Sequence, residues 1–357
     1  MNFFETDESS AVQALEDAQR LAYAPIAFQA ARILRDSGIL SAVENDMNGL
    51  TIDQVMEKVT LPEYGVRVLM EAALGLKLLV RNDGVYRITK LSHFILHDDV
   101  TRINMDFVHD VCYQGMFFLE ESIKNQKPEG LKVFGAWPTI YEGLCNLPAQ
   151  VQKSWFAFDH YYSDKSFPQV LPHIFSTKPK SLLDIGGNTG KWAIQCFEFD
   201  ENVEVTIIDL PEQSSRARAA IESKGFGDRI HFHTCDILDE SHPFPKGFDA
   251  IWMSQFLDCF SEDQIRSILK RCRESLAPDG HIYILELFWD RQRLKASAFA
   301  LQQTSLYFTA MANGNSQMYD SDNFIQYIDE AGLEVIDRKD FLGVGNNTLL
   351  TCKPKKA

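Results

Sequence analysis

Leu183-Asp184-Ile185-Gly186-Gly187-Asn188-Thr189-Gly190 decides the reading of this chain. It stands where a strand-like apolar run, Ser181-Leu182-Leu183-Asp184-Ile185, gives way to a helix-like one. Glycines at such a junction let the backbone turn sharply and let a ligand approach without interference from a Cβ. Alone, a glycine-rich turn is a weak signal, and three features downstream strengthen it. Ile207-Ile208-Asp209-Leu210 closes the next strand with a carboxylate about 20 residues past the glycines, where an acid accepts from both ribose hydroxyls. Thr234-Cys235-Asp236-Ile237 ends a third strand with an acid placed to accept from an adenine amino group, Ile237 packing on the ring. Leu276-Ala277-Pro278-Asp279-Gly280 is a turn leading into a fifth strand. Singly, Asp209 and Asp236 read equally well as helix caps or turn residues. Together in one sheet they favour a nucleoside site.

The dinucleotide fingerprint is G-x-G-x-x-G, with the pyrophosphate on a helix N-terminus. This chain carries D-x-G-G-x-x-G instead. An acid ahead of the glycines suits a ligand bearing an ammonium and a sulfonium and no pyrophosphate, which is S-adenosylmethionine.

Outward from the motif, strand-like segments alternate with helical ones. Ser181–Ile185, Val203–Ile208, Ile230–His233, Ala250–Met253 and His281–Leu285 are the strands, and Gln264–Leu276 is one of the helices between them. That alternation predicts a doubly wound, mostly parallel α/β sheet of the Rossmann-like kind over residues 176–357. Residues 96–175 read as a helical connector rich in aromatics, among them Phe117, Phe118, Trp137, Trp155, Phe156, Phe158, Tyr161 and Tyr162. They suit either a pocket for a flat ligand or plain core packing. The same choice applies to Tyr307, Phe308 and Met311 on a helix over Ser305–Met311.

Residues 1–95 open with a helical pattern from Phe28 that stops near Gly38. Thr51 caps a helix over Ile52–Lys58 with Val55 and Met56 inward, and a second helix over Pro62–Leu74 ends at Gly75. Leu78–Ile88 folds as two short strands about Asn82-Asp83-Gly84. Helix, helix, hairpin is the order of a winged helix.

Composition narrows the function. The 357 residues suit two domains, and a net charge of −15 argues against a nucleic-acid partner. The helix at Pro62–Leu74 carries Glu63, Arg67 and Glu71, a poor reader of a DNA groove. Seven scattered cysteines without a C-x-x-C pair suggest reduced thiols in a cytoplasm. The acidic start, Met1–Glu8, does not resemble a secretory signal, and no apolar run reaches the roughly 18 residues that span a membrane. No His and acid group is read at metal-ligand spacing, so no catalytic metal is expected.

With these residues in view, the chain resembles the S-adenosylmethionine-dependent O-methyltransferases of plant phenolic and bacterial polyketide-tailoring type, over most of its length. The resemblance implies an N-terminal winged helix that makes a homodimer, and a class I methyltransferase domain with a seven-stranded sheet. It implies a small aromatic or polyketide-like acceptor. Asp209, Leu210, Asp236 and Ile237 would contact the nucleoside, and the loop Asp184, Gly186, Gly187 and Gly190 the methionine part. The family's catalytic segment reads Leu-His-Asp-Trp-Ser-Asp, and Leu257-Asp258-Cys259-Phe260-Ser261-Glu262 lies in the same frame. The usual general-base His is therefore Asp258, the next residue is Cys259, and the Lys four residues earlier is Ser254, which faces the donor. Of the two acids that hold the base, Glu286 is kept and the second is Asn323, while an Arg nearby is Tyr319.

An Asp is a weak base at its ordinary pKa of about 3.9, unless burial or a coupled acid such as Glu286 raises it. The alternative is that Asp258 only bonds locally. His160, in Phe156-Ala157-Phe158-Asp159-His160-Tyr161-Tyr162, stands where relatives carry a Met against the acceptor and is a second candidate base. His231 and His233 read as structural. A sulfonium is already a good electrophile, so an ionised acceptor or a carbon nucleophile reacts by positioning alone. The runner-up reading is a protein of the same fold that binds the donor and does other chemistry, such as hydroxylation or decarboxylation, or none.

Overall fold

The computed structural model describes residues 3–356. Contacts group residues 4–109 in one compact unit and 110–356 in a second. Residues 96–109, the opening of the expected connector, fall with the first unit.

The N-terminal unit is helical with one hairpin. Helices Ala11–Ala22, Ala24–Asp36 and Ile39–Glu44 open it, and Gly38 at φ +82° makes the break between the last two. Thr51 and Gln54 form a reciprocal capping box on helix Ile52–Met56. That helix stops two residues short of the expected end, because the Lys58 N–H bonds back only three residues, to Val55. Helix Glu63–Gly75 follows, then β1 (Leu79–Asn82) and β2 (Val85–Ile88). Asp83 and Gly84 both take left-handed backbone, as a two-residue hairpin turn requires. Leu34, Leu40, Val55, Val66, Met70 and Tyr86 close over one core. Arg67 is paired with Glu63 at 2.8 Å on the exposed side of its helix, which leaves little free positive charge there. Helices Lys90–His97 and Asp99–Phe107 end the unit.

The larger unit holds a seven-stranded sheet made of β3 (Ser181–Ile185), β4 (Glu204–Asp209), β5 (Ile230–Thr234), β6 (Phe248–Ser254), β7 (Leu276–Glu286), β8 (Leu333–Leu342) and β9 (Asn347–Pro354). Their spatial order is β5-β4-β3-β6-β7-β9-β8. The first five run parallel, and β9 lies antiparallel between β7 and β8. This is the mixed, mostly parallel, seven-stranded sheet that the resemblance implies. The strand order reverses between β3 and β6, and that reversal opens a crevice at the carboxyl ends of the strands. The Leu276–Gly280 turn lies inside β7: pairing jumps from Phe248–Leu276 to Ala250–His281, so residues 277–280 form a bulge.

Alternation along the strands sorts side chains to two faces. Leu183, Ile185, Ile251, Met253 and Ile284 pack with Ile265, Ile268 and Leu269 of helix Glu262–Ser275 and Phe324 and Ile328 of helix Ser321–Glu330. Leu182, Ile207, Ala250 and Trp252 pack with Trp192, Ala193, Ala217 and Ile221 of the helices on the other face. Phe324 is fully buried, with its ring 5.2 Å from that of Phe288. Phe324→Ala is expected to destabilise this unit by about 3–5 kcal/mol, through lost burial and an unfilled cavity. Urea unfolding with unchanged m-value would show it.

Candidate active site

At the carboxyl ends of β3 to β6 lies a cavity of about 390 Å³. Its floor is the glycine loop. Gly186 sits at φ +74°, and the Phe256 ring occupies the place a Cβ would take. A Cβ on Gly187 would lie 2.8 Å from Ile207 Cγ2 and 2.9 Å from Asp184 Oδ2. The loop is therefore glycine because both its turn and its packing exclude a side chain. Gly190, at φ +75°, precedes helix Lys191–Phe199.

Around this loop the expected donor residues converge. Asp184 is 2% exposed, and its Oδ2 has no hydrogen-bond partner among the described residues. Burial, with the Asp209 charge second, pushes its carboxyl well above the usual carboxylate range. Asp209 ends β4, and its two oxygens accept from the N–H groups of Asn188 (2.8 Å) and Leu210 (2.7 Å). Burial still lifts it to about 6. The capping and ligand readings of Asp209 are thus not exclusive: it fastens the glycine loop and faces the cavity. Asp236 accepts from the Leu238 N–H at 2.9 Å in a turn, and Ile237 and Leu238 continue that wall. Ser254 Oγ and Gln213 Oε1 are two further buried atoms without a partner among the described residues, both on residues that line the cavity. Unsatisfied buried acceptors cost free energy unless a ligand supplies donors. An ammonium and ribose hydroxyls are donors of that kind, so the residues fit S-adenosylmethionine.

A smaller cavity of about 60 Å³ adjoins the first. Tyr141, Trp155, Asp159, Gln255 and Cys259 line both. Phe158, Tyr162, Leu287, Leu301, Tyr307, Phe308 and Met318 enclose the smaller one, and Asp258 faces into it. Trp155 Nε1 donates to Tyr307 Oη at 2.8 Å, which fixes two of these rings. The expected aromatic lining is thus divided. Trp155, Phe158, Tyr162, Tyr307 and Phe308 face a cavity. Met311 is core, packed at Gly115 and Gly130, and Phe117 is 89% exposed.

Asp258 is 6% exposed and accepts from the Cys259 thiol at 3.4 Å. Burial, with the nearby Asp159 charge, lifts its carboxyl to about 7. Glu286 at the end of β7 accepts through Oε1 from the N–H groups of Phe256 (3.0 Å) and Leu257 (2.9 Å), while its Oε2 is buried without a partner among the described residues. Burial and the Asp258 charge hold Glu286 protonated well above its ordinary range. Its backbone bonds fix the turn that carries Asp258.

Other expected residues fall elsewhere. His160 stacks on Phe156 at 5.9 Å and stands 3.7 Å from Asp164; it lines the larger cavity and not the aromatic one. Asn323 lines neither cavity. It is exposed on the first turn of its helix and bonded to the N-cap Asp320, so the structure does not bring it to Asp258. Tyr319 is buried and donates to the Phe260 carbonyl at 2.7 Å. His231 is mostly exposed, 3.6 Å from Glu204.

Several cavity residues escape a reading of sequence alone. Asp159 receives the Asn188 side-chain amide at 3.2 Å, and burial lifts it to about 6. Tyr141, Gln255, Asn313 and Gln213 also reach the larger cavity. Gln255 does carry a structural mark, a left-handed φ of +46° directly after β6. Among the described residues Glu44, His93 and His97 also converge, contrary to the reading that no His and acid group has ligand spacing; His93 and His97 are four apart on one helix.

Residues 16–86 match the Dimerisation2-like domain and residues 168–334 match the O-methyltransferase domain. An L-tyrosine C(3)-methyltransferase from Streptomyces lavendulae is 23% identical over 323 residues, 89% of this chain and 87% of the relative. A 3-hydroxy-5-methyl-1-naphthoate 3-O-methyltransferase from Streptomyces sahachiroi is 22% identical over 297 residues, 82% of this chain and 83% of the relative. The apo crystal structure of the S-adenosylmethionine-dependent methyltransferase SibL superposes with a TM-score of 0.72 at 21% identity, covering 96% of this chain and 100% of that one.

Proposed function

The chain belongs to the S-adenosylmethionine-dependent O-methyltransferase family, and from that premise we propose that it methylates a small phenolic acceptor held in the aromatic cavity, with Asp258 as the base. The observation that carries this reading is the shared wall of the two cavities. A cavity lined by buried acceptors with no partner among the described residues opens beside an aromatic one that holds a carboxyl lifted to about 7.

S-adenosylmethionine supplies a methyl group on a sulfonium, an electrophile strong enough that positioning supplies much of the rate. The chain's own residues would do the rest. Asp209 would accept from the ribose hydroxyls, Asp236 and Ile237 would hold the adenine, and Asp184 with the glycine loop would hold the methionine end. The aromatic walls would keep water out and orient a flat ring. Asp258 would take the phenolic proton, which a carboxylate at its ordinary pKa does poorly and one lifted to about 7 does better.

One observation favours a second site of transfer. The relative that matches 89% of this chain is named for methylating a ring carbon of tyrosine. A phenolate is nucleophilic at oxygen and at the ortho carbon. Attack from carbon then requires loss of the ring proton and reprotonation of the oxygen, for the same net release of one proton. Asp159, on the wall common to both cavities, would be placed to take part.

The Dimerisation2-like domain supports assembly as a homodimer, which light scattering would measure. Seven free cysteines support a reducing cytoplasm as the place of action. No helix among the described residues is long and apolar enough to cross a membrane.

The test is a panel of hydroxybenzoates, hydroxycinnamates, hydroxynaphthoates and tyrosine with labelled donor. We expect at least one methylated product, and carbon NMR separates a methoxy carbon from an aryl methyl. Micromolar donor binding with no product from any acceptor would favour the donor-binding, non-methylating alternative.

A further inference from the structure

The N-terminal unit holds a cluster that the methyl-transfer reading does not use. Glu44 ends helix Ile39–Glu44, and His93 and His97 stand one turn apart on helix Lys90–His97. Glu44 Oε1 lies 3.0 Å from His93 Nδ1, and Glu44 Oε2 lies 2.7 Å from His97 Nε2. The two imidazole rings are 4.7 Å apart, and all three ligand atoms lie within 4.8 Å of one another. None of the three lines either cavity.

We propose that Glu44, His93 and His97 form a binding site for a divalent transition-metal ion of the zinc class. Two imidazole nitrogens and one carboxylate oxygen are the donor set of open zinc sites, with a fourth position left for water. The i,i+4 spacing is what aligns two such nitrogens on one helix face. Glu44 arrives from a helix far away in sequence, so the fold and not local chain geometry makes the third ligand.

A plain ion-pair cluster is the competing account. In it each ring donates one N–H to a different Glu44 oxygen, and the zinc titration separates the two accounts. A metal ion binds both rings in their neutral form, and one carboxylate offsets part of its charge. Both His side chains are exposed, 63% and 52%, so the open position faces solvent and water exchanges freely. Such a site would tie helix Ile39–Glu44 to helix Lys90–His97. Soft and borderline ions suit it; magnesium, which prefers an all-oxygen shell, does not.

The experiment uses the untagged full chain, freed of metal by chelator. Calorimetric titration with zinc is expected to show one site per chain with a dissociation constant in the micromolar range, and magnesium to show none. Zinc at a large excess over that constant should raise the melting temperature by several degrees. The double variant His93→Ala, His97→Ala should lose at least tenfold in zinc affinity, and Glu44→Gln should lose less. Cobalt provides a readout independent of any variant's folding. Bound at this site it should give visible d–d bands without thiolate charge transfer. No zinc binding, binding that survives the double variant, or a cobalt spectrum with thiolate bands would each overturn the proposal.

Discussion

Asp258→Asn is expected to lower kcat by about 10²–10⁴-fold, the range usual for loss of a positioned acid or base. The donor affinity should stay within a few-fold, because Asp258 faces the aromatic cavity and not the larger one proposed to hold the donor. The pH profile gives the sharper result. Burial lifts this carboxyl to about 7, and only its ionised form takes a proton. Turnover by the unaltered enzyme should therefore fall about tenfold per unit as pH drops below about 7, and the variant's residual rate should be flat there. Stability should move the other way. The folded carboxyl holds its proton more tightly than the unfolded one, whose pKa is about 3.9. The native state thus binds more protons between about pH 4 and 7, and stability from this group falls as pH rises through that window. Asn removes that penalty, so at pH 8 the variant should melt no lower than the parent. A variant that loses both activity and melting temperature would mean that Asp258 is a structural residue of the turn.

How far the sequence reveals this design depends on the range of the interaction. The proposed donor site is legible because its parts sit at or just past strand ends. Asp184 and Asp209 lie at the ends of β3 and β4 and Asp236 two residues past the end of β5, and parallel strands bring their carboxyl ends together without further information. The hairpin at Asp83-Gly84 and the break at Gly38 are legible because backbone sterics act locally. The acceptor side is harder. Trp155, Tyr307 and Tyr141 meet only through tertiary packing, and nothing in their spacing separates them from Met311 or Phe117, which turn into core and solvent respectively. Asn323 shows the opposite failure. A frame carried over from relatives puts it beside Asp258, but its bond to Asp320 at the helix start holds it at the surface. The Glu44 cluster joins residues about 50 positions apart, and half of its signal, the His93–His97 spacing, is visible in sequence once both helix faces are considered.

Asp209→Ala should weaken donor binding roughly 100-fold or more, and Asp236→Ala about tenfold or less. The difference follows from burial and bonding. Asp209 ends β4 and is largely enclosed, whereas Asp236 lies in an exposed turn just past β5. A carboxylate that accepts two hydroxyls in an enclosed site contributes about 1.5–3 kcal/mol per charge-assisted bond, so losing two costs a factor near 10² or more. Water competes for Asp236, and a single lost contact there costs less. Asp209→Ala also releases the N–H groups of Asn188 and Leu210, which loosens the glycine loop. Asp209→Asn separates the two effects: it keeps the side chain's shape and one acceptor oxygen, and should fall between the parent and the Ala variant. Proton linkage supplies an internal check. Burial lifts Asp209 to about 6, and a protonated carboxyl accepts poorly. Affinity for S-adenosylhomocysteine should therefore weaken between pH 7 and pH 5 in the parent and much less in Asp209→Asn. Calorimetry at the two pH values would decide it. Equal losses for Asp209→Ala and Asp236→Ala, or a parent affinity indifferent to pH, would mean that Asp209 serves the loop and not the ligand.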